Sequence, residues 1–225
     1  MIDRSSTKPN RAADVSMVPR EFAGRARDLL RRLGEADARI KPAVRAVMMP
    51  LSRRLDRRPV LRRDMLIDAE RHWRNVVPAF GRLAMEVDGE DLRSPCFIEL
   101  RVVCGVSHRA TWPDEGEEPG VLVGWHAVEF GEGAIASRFV SLASVSLHAL
   151  ARRYQRGWDT TDTAIFADLA VVAHDFREAV TLSRFAVAVL GGAWVGEPMN
   201  AGESTILAVR TYYDADSGAR AVTTP

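Results

Sequence analysis

The sequence predicts an α+β fold in which basic N-terminal helices precede a mostly antiparallel sheet with two inserted helices. The first reason is a change in hydrophobic spacing near Gly81, from the three-and-four period of amphipathic helices to the alternation of strands. The second is an uneven charge: residues 1–80 contain 19 Lys and Arg against 10 Asp and Glu, whereas residues 81–225 contain 12 against 20. The third is composition, because 225 residues with 47% hydrophobic side chains can bury a core, which excludes collagen-like, low-complexity and wholly disordered chains.

The N-terminal part of the chain is predicted to be a flexible lead followed by helices. Residues 1–18 are polar and predict the lead, and residues 19–80 predict a basic helical region. The first helix begins at Glu21 and ends near Gly34, because its apolar residues recur every three or four positions: Phe22, Ala26, Leu29, Leu30 and Leu33. A second helix interrupted at Pro50 and a third helix complete the region.

Residues 81–225 are predicted to form the α+β domain. Three strand patterns come first, RLAMEVD, PCFIELRVVCGV and VLVGWHAVEF, and the acidic segment PDEGEEPG between the last two is predicted to be a solvated turn. One helix from about Ser144 to Arg156 and a second from about Thr161 to Val180 follow. The final strand patterns are RFAVAVL, AWVG and STILAVRTYY, of which the first two are joined by a turn at Gly191 and Gly192.

Arginine supplies nearly all of the positive charge. Of the 31 basic residues only Lys8 and Lys41 are lysine, which leaves few candidates for chemistry that depends on a lysine nucleophile. Guanidinium groups bind phosphate oxygens in pairs, so the basic region predicts contacts with nucleic acid, RNA above all. The arginines predicted to make these contacts are Arg53, Arg54, Arg57, Arg58, Arg62 and Arg63. The alternative is that the basic region attracts the acidic part of its own chain.

Several classes of protein are excluded by what the sequence lacks. It has neither an apolar run long enough to span a membrane nor the apolar core of a signal peptide, so we expect a cytoplasmic protein without a membrane partner. Cys96 and Cys104 are predicted to be core thiols, because there is no second cysteine pair to complete a zinc site. The phosphate-binding loop, the dinucleotide fingerprint, GxSxG and HExxH are absent, and we expect neither a metal nor another cofactor.

The segment SLHALARRYQRGW, residues 146–158, is the candidate site. If Ser146 caps a helix, then His148, Arg152 and Arg156 follow one another along a single helix face. The positive end of the helix dipole disfavours a protonated imidazole, which predicts a neutral His148 able to act as a base beside arginines that bind phosphate. The alternative is an ordinary amphipathic helix whose His and Arg are solvated or paired with acids such as Asp168.

Residues 140–216 resemble the small RelE-like and barnase-like ribonuclease toxins. The resemblance consists of His148-Ala-x-x-Arg152-x-x-Gln-Arg156-Gly, a second helix, a glycine-turned hairpin and a last strand that contains Arg-Thr-Tyr-Tyr. It implies an endoribonuclease that needs no metal, with His148 as the base and Arg152 and Arg156 as phosphate clamps. It further implies a contact to the substrate from Thr211 or Tyr212, and a protein inhibitor as a possible partner. Cleavage would use the 2′-hydroxyl of RNA as the nucleophile.

A non-enzymatic protein is the competing interpretation. The basic helices would then bind nucleic acid or an acidic partner, and the sheet would be structural and able to form a homo-oligomer. Among the other histidines, His126 is predicted to be buried in a strand, His108 to open a loop, and His174 to lie on the helix after the candidate site. Three tryptophans that could stack on bases are predicted to serve packing instead: Trp112, Trp158 and Trp194. In a ribonuclease, the helix residues should converge with the last strand in an open cleft.

Overall fold

The computed structural model of the chain describes residues 18–35, 71, 84–88, 97–112, 116–131 and 134–215. Helix α1 covers residues 20–35. The later elements, in chain order, are β1 (Ala84–Asp88), β2 (Phe97–Trp112), β3 (Gly116–Gly131), β4 (Ala134–Ser146), α2 (Leu147–Arg156), α3 (Asp162–His174), α4 (Phe176–Ala179), β5 (Phe185–Val189), β6 (Gly192–Ala201) and β7 (Ser204–Asp214). The predicted second and third helices, and all six arginines from Arg53 to Arg63, lie outside the described residues.

The strands form one seven-stranded sheet with the order β1-β2-β3-β4-β7-β6-β5. Each neighbouring pair is antiparallel except β4 and β7, which run parallel. The predicted α+β class, with a mostly antiparallel sheet and helices inserted after β4, is confirmed. Because β4 and β7 are parallel, their carboxyl ends lie at the same edge of the sheet, and α2 begins at that edge.

The helices cover one face of the sheet and enclose the core. Val121, Val145 and Val209 are partners in register on three neighbouring strands and all are fully buried on this face. The apolar stripe predicted for α1 packs into the same core through Ala26, Leu29, Leu30 and Leu33. The residue that follows each of these three valines along its strand points to the opposite face of the sheet. The cleft described below lies on that face.

Strand β4 and the start of β3 differ from the sequence prediction. No strand was predicted at β4, whose residues are mainly alanine and serine and give little strand signal. The acidic segment was predicted to be a solvated turn, but β2 and β3 stay paired as far as Trp112 and Gly116, so Glu117 and Glu118 lie in β3. The same pairing places His108 inside β2, which corrects the prediction that it opens a loop.

The two inserted helices are also shorter than predicted. Helix α2 begins at Leu147 rather than Ser144, because β4 continues to Ser146. The second predicted helix is interrupted at Asp175, where the backbone leaves the helical region and separates α3 from α4. The turn predicted at Gly191 and Gly192 does join β5 to β6.

Two glycines in β3 let β4 approach closely. A Cβ atom at Gly120 would overlap the carbonyl oxygen of Val145, and one at Gly124 would overlap that of Val140. Any other residue would push the strands apart, so glycine at these positions permits the local bend of the sheet. A β-bulge at Val123 and Gly124 lies in the same stretch of the pairing.

Three buried residues agree with their predicted roles. Cys104 is a buried thiol, His126 is buried in β3, and Trp194 is fully buried in the core. Trp158, which was predicted to pack, is instead largely exposed. None of the helices that the structure describes is long and apolar enough to cross a membrane.

Candidate functional site

The N-terminus of α2 is fixed between β4 and β7. Ser146 is the predicted N-cap, and its hydroxyl oxygen accepts a hydrogen bond of 3.1 Å from the N–H of Ala149. The same hydroxyl donates to the carbonyl oxygen of Arg210 in β7 at 3.5 Å. The first turn of α2 therefore lies at the carboxyl end of β4, beside Arg210 of β7.

Glu118 of β3 reaches this turn. Its Oε1 accepts a hydrogen bond of 3.1 Å from the backbone N–H of His148. The register explains the contact: Gly120 is paired with Ser146, so a residue two positions earlier in β3 lies beside the residues that follow Ser146. The carboxylate of Glu118 thus lies at the helix terminus that carries His148, where the dipole favours negative charge.

Glu118 is a site residue that was not predicted from the sequence. It was assigned to the acidic turn, and its relation to His148 depends on the pairing of β3 with β4, a strand that was not predicted. The one usable signal was the alternation of Glu118, Gly120 and Leu122, which places these residues on one face of a strand.

The two predicted phosphate clamps occupy different environments. Arg152 is only 4% exposed, and its Nη1 donates to Oε1 of Gln155 at 3.0 Å. Arg156 is half-buried and its Nη1 donates to the carbonyl oxygen of Tyr212 at 3.1 Å. Eight residues separate Arg156 from His148, a rise of about 12 Å along the helix. The helix therefore presents His148 and Arg156 at opposite ends.

A buried ion pair holds α2 to α3. The Nε of Arg153 lies 2.6 Å from Oδ2 of Asp168, and both side chains are almost completely enclosed. Burial raises the pKa of Asp168, and the hydrogen bond and charge of Arg153 oppose that rise. Arg153 also donates to the carbonyl oxygen of Asp159 at 2.8 Å, and its guanidinium lies 5.1 Å from the ring centroid of Tyr212. One alternative from the sequence was that an arginine of this helix pairs with Asp168. The structure shows that pairing, and the arginine is Arg153.

The two residues predicted from the last strand point in different directions. Tyr212 is fully buried under α2 and meets Trp194 edge to face, with the ring centroids 5.1 Å apart. Burial raises the pKa of Tyr212, so the phenol is neutral at pH 7. Thr211 is partnered with Val195 and, as the next residue along the strand, faces the other side of the sheet. The structure therefore brings the end of α2 to β7 through the carbonyl of Tyr212 rather than through either predicted side chain.

Helix α1 binds to the loop between α2 and α3. The Nη2 of Arg25 donates to the carbonyl oxygen of Thr160 at 2.6 Å, and its guanidinium lies 4.5 Å from the ring centroid of Tyr154. Arg32 forms an ion pair with Asp162, which also accepts a hydrogen bond of 2.8 Å from the hydroxyl of Tyr154. Both arginines belong to the basic region. Their contacts agree with the alternative that this region attracts other parts of its own chain.

A cleft of about 760 Å³ lies on the face of the sheet opposite the helices. At one side of it, Nε2 of His108 is 2.9 Å from the hydroxyl oxygen of Ser144. His174 lies apart from this cleft on α3, where its Nδ1 is 2.9 Å from a carboxylate oxygen of Asp175. The residues that line the cleft are His108, Leu122, Arg138, Phe139, Val140, Ser141, Ser144, Met199, Asn200, Ala201, Ser204 and Ile206.

The burial of His108 predicts a pH dependence of stability. Burial lowers the pKa of His108 from its ordinary value of 6.5, so the unfolded chain binds the proton more readily than the folded one. The contribution of neutral His108 to the free energy of unfolding is therefore fully present above about pH 6.5. It is lost as the pH falls from there toward the lowered pKa of the folded protein. Urea denaturation measures the free energy of unfolding. Between about pH 7.5 and about pH 5 this free energy should fall less for His108→Gln than for the original protein. An equal difference in both proteins would contradict this assignment.

No protein family matches the chain, and neither a curated protein nor a solved structure is similar to it. Among the residues that the structure describes, no group of three or more His, Cys, Asp or Glu side chains is arranged to hold a metal ion.

Proposed function

We propose that the protein is a metal-independent endoribonuclease whose catalytic groups lie at the N-terminus of α2. The observation that supports this most is the 3.1 Å hydrogen bond from the backbone N–H of His148 to the carboxylate of Glu118, which brings that carboxylate to the helix turn of the histidine. Cleavage of RNA by its own 2′-hydroxyl requires one group that removes a proton and one that supplies a proton. A carboxylate and an imidazole at one site meet this requirement.

We assign the base to Glu118 and the acid to His148. The N–H donor and the positive end of the helix both favour the ionised carboxylate, which is the form that accepts a proton. This assignment revises the role of base that the resemblance implies for His148. The helix dipole alone favours a neutral imidazole, and the negative charge of Glu118 at the same helix terminus opposes that effect.

The proposed reaction is a transesterification. Glu118 removes the proton of the 2′-hydroxyl, and the freed oxygen attacks the adjacent phosphorus. The bond from phosphorus to the 5′-oxygen breaks as His148 donates a proton to that oxygen. The products are a 2′,3′-cyclic phosphate and a free 5′-hydroxyl. Both proton transfers use side chains, so the scheme has no step that requires a metal ion.

Arg156 is assigned to substrate binding at a distance from the bond that breaks. Its contact with the carbonyl of Tyr212 holds it at the C-terminal end of α2, about 12 Å along the axis from His148. At that position the guanidinium is suited to a neighbouring phosphate of the same strand.

Incubation of the full chain with labelled single-stranded RNA in excess EDTA tests the proposal. We expect cleavage that leaves 2′,3′-cyclic ends, and no cleavage of DNA with the same base sequence, because DNA lacks the nucleophile. Loss of activity in EDTA, or cleavage of the DNA at a similar rate, would overturn the mechanism.

A further inference from the structure

The cleft lies on the same face of the sheet as Glu118 of the proposed catalytic site. Leu122, Ser144 and Ala208 are partners in register across three strands, and they define this face. Residues an even number of positions apart on a strand share a face. Glu118 therefore lies on the same face as Leu122 of β3, and Ser146 on the same face as Ser144 of β4. Two residues of a strand span about 7 Å, which is the separation along β4 between the helix cap and the cleft.

The residues that line the cleft combine three kinds of group. The apolar part consists mainly of Leu122, Phe139 and Ile206. Hydrogen-bonding groups come from serines, from Asn200 and from the pair formed by His108 and Ser144. Arg138 supplies an exposed positive charge, and none of the described lining residues is acidic. The cleft therefore suits an anion that has both a flat apolar body and polar edges.

The side chain of His108 crosses β3 to reach β4. His108 belongs to β2 and Ser144 to β4, and β3 runs between them. The residue of β3 directly opposite His108 is Gly120, which has no side chain to separate the two. The imidazole therefore passes over this glycine, and its Nε2 lies 2.9 Å from the hydroxyl oxygen of Ser144 on the strand beyond.

We propose that this cleft binds a nucleotide of the RNA substrate next to the bond that is cleaved, an inference that rests on the proposed function. Phe139 offers a surface on which a base stacks, and Asn200 offers an amide for its polar edge. Arg138 binds the phosphate. A cavity of about 760 Å³ lies within the range of sites that bind small molecules of this size.

Binding of the four nucleoside 3′-monophosphates to the full chain, measured by calorimetry, tests this inference separately from cleavage. We expect at least one of them to bind, and Arg138→Gln and Asn200→Ala each to weaken that binding by about tenfold or more. Arg177→Gln is the matched control, because Arg177 is an exposed arginine on α4 outside the cleft. It should leave the binding unchanged.

Three results would overturn the inference. They are the absence of binding by all four nucleotides, equal binding by ribose 5-phosphate, and binding that neither cleft substitution alters. Binding by a protein that does not cleave RNA would refute the proposed function and leave the nucleotide site standing. Cleavage of RNA by a protein that binds none of the four nucleotides would refute the nucleotide site and leave the proposed function standing.

Discussion

His148→Ala and Glu118→Gln should each lower the rate of RNA cleavage by about 10²–10⁴, the usual contribution of a general acid or base. The glutamine side chain retains an oxygen that can accept the hydrogen bond from the N–H of His148, so the start of α2 should remain intact. Rates with labelled RNA in excess enzyme, together with the melting temperature of each variant, separate a chemical defect from an unfolded protein.

Two substitutions serve as matched controls for this experiment. Glu117 is the neighbour of Glu118 in β3, but it lies 3.6 Å from Arg109 and both side chains are mostly exposed. His174 is exposed at the end of α3. Glu117→Gln and His174→Ala should therefore cleave RNA at the original rate. If all four variants cleave equally, the N-terminus of α2 is not the catalytic site.

Arg153→Met should lower the free energy of unfolding by about 3–5 kcal/mol, the cost of removing one partner of a buried ion pair. The substitution leaves the carboxylate of Asp168 enclosed without its cation, and it also removes the donor to the carbonyl of Asp159. Urea denaturation at pH 7 measures the change. A loss smaller than about 1 kcal/mol, as for an exposed pair, would contradict this account of the contact.

The double variant Arg153→Met, Asp168→Leu identifies the cause of that loss. Replacing both charges with apolar groups of similar size removes the isolated carboxylate, so much of the lost stability should return. If the double variant is no more stable than Arg153→Met, then packing over Tyr212 accounts for the loss rather than the buried charge.

Local sequence signals were sufficient for α1, for the N-cap of α2 and for most of the described strands. The three-and-four spacing of α1 and the serine at position 146 each depend on neighbours within a few residues, and both predictions were confirmed. The glycine turn between β5 and β6 is local in the same way. Patterns of this kind show which elements form, and they carry little information on how the elements are arranged.

The composition of the candidate site depends on contacts between distant parts of the chain. Glu118 and His148 are brought together by the register of β3 with β4, which no local pattern shows. A bulge between Val195 and Gly196 shifts the pairing of β6 with β7 just before Thr211 and Tyr212. The direction of those two side chains therefore could not be obtained from the alternation of the sequence alone.

The most direct measurement of the proposed chemistry uses RNA in which a single ribose is changed. Once the position of cleavage in a labelled RNA is known, the nucleotide that supplies the 2′-hydroxyl is replaced with its 2′-deoxy form, and every other nucleotide stays as ribose. We predict that cleavage disappears at that linkage and continues at the others, because the nucleophile belongs to the RNA. Continued cleavage at the changed linkage would show that another nucleophile attacks, and it would contradict the roles assigned to Glu118 and His148.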